Sequence, residues 1–258
     1  MPYKIKRYGW VPDFPDQRDH MFAAPPPVLA SLPPSVDLRP QCPPVYDQGE
    51  LGSCTGNAIA GAIQFDRRKQ QLDPDWVPSR LFIYYNEREI EGTVDSDSGA
   101  MIRDGIKSVN KLGVCPEDMW PYDITKFADK PPAECYDRAL ECRVVSYSRL
   151  FPNLLQLKGC LASGYPFVFG FTVYDSFESP EVAQTGVLQM PSPGENMLGG
   201  HAVVAVGYDD ADQRFIIRNS WGEAWGQQGY FTMPYQYLID RSLSSDRWTL
   251  RLISAPGV

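Results

Sequence analysis

Apolar positions recur at helical spacing through the first half of the chain and as short runs through the second. From Cys54 to about Gln70, the residues Ala58, Ile59, Ala62, Ile63 and Phe65 form a stripe close to i, i+1, i+4, i+5, i+7, which predicts a helix that begins at Cys54. A second helix is predicted from Arg80, with Ser79 as its N-cap. A third is predicted near Ala100 to Leu112, with Ile102, Ile106, Val109 and Leu112 on one face and Gly113 as its stop. Residues 115–135 read as Pro-rich loop. Beyond that the period changes. Strands are predicted at 143–147, 167–173, 230–233 and 249–253, a hairpin at 203–208 and 215–218 around a D-D-A-D-Q turn, and a short helix at 154–162. Helices early and strands late make an α+β chain rather than alternating βαβ units.

The N-terminal 31 residues differ from the rest. Pro12, Pro15, Pro25, Pro26 and Pro27 fix their own φ and bias the preceding residues to extended backbone. We expect residues 1–31 to form an extended leader without secondary structure, with Tyr8, Trp10, Phe14 and Phe22 as apolar anchors. An open cleft would accept such a peptide. The folded body is placed from residue 32 onward, as a mainly helical part over 32–142 and a mainly β part over 143–258.

Composition narrows the classes. The chain has 258 residues, 43% of them hydrophobic, ample for a sizeable core. Lys and Arg number 24 against 32 Asp and Glu, for a net charge of −8, which argues against nucleic acid or an anionic membrane as partner. No run of about 18 apolar residues predicts a membrane helix. The basic start is followed by no apolar stretch of signal-peptide type. The compartment is left open, a secreted or periplasmic location included, and a monomer is expected. Of six cysteines (Cys42, Cys54, Cys115, Cys135, Cys142 and Cys160) none forms a C-x-x-C pair, and with only two histidines no metal site and no cofactor is expected. A bridge between Cys42 and Cys115 is one possible pairing, since both lie in Pro-flanked loops.

Cys54 carries the chemical interest. A cysteine alone is usually core. This one lies at a helix start, where unpaired N–H groups and the helix dipole favour a thiolate, and it is flanked by Gly52 and Gly56, which permit close approach of a ligand. Thiol-based acyl transfer also needs a base, a group that orients it, and donors for an oxyanion. His20 lies in the leader, so the base is His201, at the entrance to the run A-V-V-A-V-G-Y. Asn219 ends the paired strand and can hold one ring nitrogen, with Trp221 covering that bond. Gln48 lies six residues before Cys54 and, with the Cys54 N–H, can donate to the oxyanion.

The motifs Gln48…Gly52-Ser53-Cys54, Gly200-His201-Ala202-Val203 and Asn219-Ser220-Trp221-Gly222…Trp225-Gly226…Gly229-Tyr230 resemble, in order, those of the papain-like cysteine peptidases, and the stretch Cys42-Pro-Pro-Val-Tyr-Asp-Gln-Gly…Gly-Ser-Cys-Thr looks like their bacterial branch. The resemblance spans roughly residues 32–235. It implies a papain-like two-lobe fold, with a helical lobe carrying Cys54, a β-barrel-like lobe carrying His201 and Asn219, and the cleft between them. It implies an endopeptidase that works through a Cys54 thiolate and a His201 imidazolium, with peptide lying along Ser98 and Gly99 and against Gly200 and Trp221. A thiol-dependent amide or acyl transferase and a silent peptide-binding protein are the alternatives. Two positions depart from the family pattern: Leu51 stands where a cysteine is usual, and Thr55 stands where an aromatic usually follows the nucleophile. The leader is expected to lie in the cleft and restrain activity as a pro-segment.

Overall fold

Helices occupy the chain up to Ala139 and strands dominate from Val144, as the pattern predicts. The computed structural model describes residues 8–254; the basic start, residues 1–7, lies outside the described residues. In chain order the elements are α1 (Pro26–Ala30), β1 (Ser35–Asp37), α2 (Cys54–Lys69), α3 (Arg80–Glu91), α4 (Ile102–Lys111) and α5 (Ala133–Ala139). There follow β2 (Val144–Arg149), α6 (Leu154–Ala162), β3 (Phe167–Tyr174), α7 (Pro180–Thr185), β4 (Met197–Asp209), β5 (Arg214–Arg218), β6 (Tyr230–Pro234), α8 (Tyr235–Ile239) and β7 (Ser244–Ile253).

The strands form one antiparallel sheet in the order β2-β7-β3-β4-β5-β6, with β1 paired to the far end of β4. The order ends on β2 and β6, so the sheet is open rather than closed into a barrel. The outer strands carry further bridges, Met21 on Arg149 of β2 and Val187 on Thr232 and Gln227 on Tyr230 of β6, which leave less bare edge for another chain to pair with. Helix α2 lies between α3 and α4 on one side and strands β3, β4 and β7 on the other. It is therefore buried nearly all round, from Cys54 to Arg67, where its sequence shows only a stripe. One continuous apolar core joins α2 and α4 to the inner face of the sheet.

Local signals explain most boundaries. The Ser79 hydroxyl accepts the Phe82 N–H at 3.1 Å, as an N-cap should, and donates to the Trp120 carbonyl at 2.8 Å. Ser79→Ala loses both bonds at a buried site. We expect about 1–2 kcal/mol of lost stability, read as a lower urea midpoint at unchanged m-value. Gly113 ends the α4 segment at φ +78°, a conformation that costs an L side chain steric energy. The leader is not wholly extended. Pro26 opens the short helix α1, where a missing N–H costs nothing, and the helix packs on α6. Phe14 is 73% exposed and anchors nothing. All six cysteines are free thiols. Cys42 sits by the Leu38 carbonyl and Tyr230, whereas Cys115 lies against Cys135, so the thiol facing Cys115 belongs to α5 and not to the loop at Cys42.

Candidate active site

Three elements bring the sequence-selected residues together. Cys54 is the first residue of α2; His201 lies in β4; Asn219 follows the end of β5, which pairs with β4. The imidazole Nε2 is 2.8 Å from Asn219 Oδ1. That oxygen also accepts the Ser220 N–H at 2.9 Å, so it is an acceptor and the ring proton sits on Nε2. Nδ1 is then the basic nitrogen, buried and without a hydrogen-bond partner. The Trp221 ring stacks over the imidazole with centroids 5.1 Å apart, and Phe177 packs on Trp221 at 5.1 Å.

The Cys54 sulfur accepts the N–H of Ala202, the residue after His201, at 3.3 Å. The backbone N–H groups of Gly9 and Thr55 also point at it. Ser53 supplies no side-chain cap, so the first N–H groups of α2 remain available at the sulfur's end of the helix. Gln48 is fully buried and doubly tied: Nε2 donates to the Leu51 carbonyl at 3.0 Å and Oε1 accepts the Ser220 hydroxyl at 2.7 Å. Leu51 thus contributes a carbonyl that fixes Gln48. Thr55 has a role of its own too, since its hydroxyl donates to the buried carboxyl of Glu87, which burial pushes well above the usual carboxylate range.

The leader crosses this site. Gly9 passes so close to Gly52 that a Cβ on Gly9 would lie 1.6 Å from the Gly52 carbonyl oxygen. The Ala100 N–H donates to the Gly9 carbonyl at 2.8 Å, Val11 N–H to the Ala100 carbonyl at 3.0 Å, and Trp10 N–H to the Gly200 carbonyl at 2.9 Å. Tyr8 lies edge-on to His201 and donates its hydroxyl to Glu178 at 2.6 Å. Gly99 abuts the leader backbone at φ +73°, Ala100 makes the backbone bonds, and Ser98 turns its hydroxyl to Thr93. Burial under this segment pushes the Cys54 thiol up to about 12 against the pull of its N–H donors. Burial likewise pushes His201 down to about 4, against the Asn219 bond.

Further along, Asp13 accepts the Arg103 N–H at the start of α4, whose own N-cap residue, Met101, makes no side-chain cap hydrogen bond, and the Trp248 indole N–H at 2.9 Å. Asp19 pairs with Arg103 and Arg149. Burial, then the neighbouring Asp246 carboxylate, raise Asp13 to about 6. A freed Asp13 would titrate near ~3.9. The seated leader therefore binds a proton more readily, and this contribution is full below about pH 4 and lost as pH rises through about 6. Burial opposes ionisation of Asp19 as well, but Arg103 and Arg149 outweigh it and hold Asp19 low, so its contribution fails only at still lower pH. Hydrogen-exchange protection at Trp10 and Val11, corrected for intrinsic rate, should rise from pH 7.5 to 4.5, and Asp13→Asn should flatten that rise. Protection that falls on acidification would contradict this assignment.

Sequence reasoning did not find Tyr122, whose hydroxyl contacts the Ser53 hydroxyl at 2.5 Å and donates to the Gln48 carbonyl at 2.9 Å, nor Glu87 or Ala100. None carries a local signal; each reaches the site only through the fold. Among the described residues no group of three or more His, Cys, Asp or Glu side chains could hold a metal ion, and no helix is long and apolar enough to cross a membrane.

This arrangement of a helix-start thiol, an amide-held imidazole and a peptide strip between helices and sheet defines a class of thiol peptidase. Residues 32–242 match the model of the papain family cysteine proteases, and the chain belongs to that family. It is 43% identical over 275 aligned positions to an uncharacterized peptidase C1-like protein of Acanthamoeba polyphaga mimivirus, covering 97% of this chain and 88% of that one. It is 32% identical to the cathepsin B-like CP3 of Giardia intestinalis, over 77% and 68% of the two chains. Its structure is similar to that of xylellain, a cysteine protease from Xylella fastidiosa, with TM-score 0.91, 47% identity and coverage of 97% and 98%. The protein is a cysteine peptidase, and hence a hydrolase, with a papain-like fold.

Proposed function

We propose that the protein is an endopeptidase held latent by its own N-terminal segment, a zymogen of the family's bacterial branch that acts as a monomer on peptide or protein substrates. Cys54 is the nucleophile, His201 the general base and acid, Asn219 the group that orients the ring, and Gln48 with the Cys54 N–H the oxyanion donors. Trp221 shields the His201–Asn219 bond, and Ser98, Gly99 and Gly200 line the peptide's path. In this division residues 1–31 are the restraining segment, 32–142 the lobe of the nucleophile and 143–258 the lobe of the base. The observation that carries the reading is the His201 ring, held through Nε2 by Asn219 at 2.8 Å with a basic Nδ1 left over, one residue from the N–H that reaches the Cys54 sulfur at 3.3 Å.

With the leader seated, burial disfavours both charges and the thiol and imidazole are neutral. Once it leaves, water and the α2 N-terminus stabilise the thiolate, and the proton passes to Nδ1. The thiolate adds to the peptide carbonyl, and the imidazolium gives its proton to the departing amine. Nδ1 then takes a proton from the water that attacks the thioester, and the acid is released with the thiol restored. Likeness to the Xylella protein supports the bacterial placement, while the mimivirus relative shows similar chains elsewhere.

The test is the pH profile of Cys54 alkylation by iodoacetamide, mapped by mass spectrometry with Cys54→Ala as control. In the intact chain the rate should be low from pH 7 to 10, because the Cys54 sulfur is buried beneath the leader. With the leader displaced it should be high and flat. Absence of Cys54-dependent labelling in the opened chain would sink the catalytic assignment. Release of free acid rather than transfer to an added amine separates hydrolysis from acyl transfer.

A further inference from the structure

Past the Trp10 indole, which fills the space beside Gly170 and Gly200 and donates to Asp246, the leader moves away from the nucleophile and crosses a different surface. The start of α4, the end of β2 and Trp248 of β7 make that surface. The leader there reads D-F-P-D-Q-R-D from Asp13 to Asp19, three carboxylates against one guanidinium. Of the residues lining the cavity under Asp16 and Asp19, the body supplies Arg103, Lys107, Tyr147 and Trp248. Its own carboxylate nearby is Asp104, 4.0 Å from Lys107. In a chain of net charge −8 this is a local reversal of sign.

Two carboxylate receptors centre on Arg103. The first holds Asp13. The Arg103 N–H, in the first turn of a ten-residue helix, donates to Oδ1 at 3.0 Å, and the Trp248 indole N–H donates to Oδ2 at 2.9 Å. The second holds Asp19. Arg103 Nε and Nη2 donate to its two oxygens at 3.0 and 2.5 Å, the parallel fork that matches a guanidinium to a carboxylate. Arg149 Nη1 adds a bond at 2.8 Å. Both guanidiniums lie over the Trp248 ring, 5.7 and 5.5 Å from its centroid. The first receptor adjoins the Asp246 carboxylate and takes an acid or an amide; the second, with two cations, sets the preference for charge.

These donors belong to the body. Trp248 is 1% exposed, Arg149 is also tied to Asp246 Oδ1 at 2.7 Å, and α4 packs on α2 and α3. Departure of the leader therefore uncovers them in place, and the Arg103 guanidinium loses both Asp19 and the Phe14 carbonyl. A substrate that takes the leader's path in the cleft runs on over the same cations.

We propose that Arg103, Arg149 and Trp248 form an exosite of the opened enzyme that docks an acidic stretch of the protein substrate, four or more residues from the scissile bond. Gly9 lies at the sulfur, Asp13 is four residues further and Asp19 ten, so the exosite stands clear of the reacting atoms. It acts on affinity and leaves the chemical step alone. The leader thus competes at two places, the cleft and the exosite. The inference rests on the peptidase reading, and its test separates the two.

The enzyme is the full-length chain with Trp10→Ala and Asp19→Ala, which unseat the leader and take its carboxylate out of competition. Internally quenched peptides share one cleaved core and carry Asp, Asn or Lys in turn at each position from the fourth to the tenth on either side of the cut. At one position or a short run of them, KM for Asp should lie about tenfold below that for Asn, with kcat unchanged and Lys the weakest. Arg103→Gln brings the Asp and Asn values together, and so does Arg149→Gln. Arg103→Glu turns the order around so that Lys leads, a result that loss of the fold cannot give. Equal KM for Asp and Asn at every position overturns the exosite. The same series, labelled with fluorescein and read by anisotropy in the chain that also carries Cys54→Ala, reports docking without turnover. Failure to cleave any peptide in a Cys54-dependent way overturns the peptidase reading, and the Asp preference in anisotropy, present or absent, then decides the exosite by itself.

Discussion

His201→Ala, measured in the leader-displaced chain, lowers kcat/KM by about 10⁴-fold or more. The expectation follows from the single basic nitrogen at the site. Asn219 Oδ1 occupies Nε2 and also takes the Ser220 N–H, so only Nδ1 can exchange a proton with the sulfur, the amine and water. Of the two histidines in the chain the other, His20, lies in the leader with its carbonyl bonded to the Arg149 N–H, and cannot substitute. The fold survives the change, because Asn219 keeps the Ser220 N–H and the ring's neighbours Phe171, Phe177 and Trp221 remain packed on one another. A double variant with Cys54→Ala should be no worse than either single one, since the two side chains act as a unit. A loss below about tenfold with an unchanged Tm would remove His201 from the mechanism.

Trp10→Ala in the full-length chain raises turnover of a peptide substrate at least a hundredfold. Removing a buried tryptophan typically costs ~3–5 kcal/mol, and here the bond to Asp246 goes too. At about 1.4 kcal/mol per tenfold, that shifts the seated–open balance of the leader by two to three orders of magnitude. Phe14→Ala serves as control, since that ring is exposed and should change little. The readout is the initial rate before any cleavage of the leader, followed by mass spectrometry. An unchanged rate would mean that the leader is not what limits access to Cys54.

Much of this architecture was legible in local sequence because the relevant signals are local. Ser79 caps α3, Cys54 opens α2, and 154–162 is helical over that whole range. The elements that escaped are short and held by partners far away. Helix α5 follows two prolines and packs Cys135 against Cys115, and α8 is one turn of Y-Q-Y-L-I after Pro234 that reads equally well as more strand. Strand β1 has three residues and exists because β4 outruns β3 and has backbone to spare. At the site the pattern was the same. His201 stood out by scarcity and Asn219 by its place after a strand. Asp246 and Gly170 are unremarkable in sequence and acquire meaning only when Trp10, 236 and 160 positions away, arrives between them. Thr55, a departure from the family pattern in sequence, proves to be the partner of Glu87.

Strand β1 lies just beyond the leader, and its pairing with β4 has a kinetic consequence. With the Pro33 carbonyl bonded to the Tyr208 hydroxyl and the Pro34 carbonyl to the Asp210 N–H, the chain is fastened to the body immediately after the segment that covers the cleft. A leader that swings out is still attached, and it competes for the cleft as a tethered ligand at an effective concentration on the order of millimolar. Dilution cannot release it, and a substrate present at micromolar levels wins only if it binds far more tightly. Opening by motion alone is therefore brief and self-reversing. A cut between Val11 and Pro33 turns the first-order return into a second-order one, and from then on the fragment is lost to the bulk.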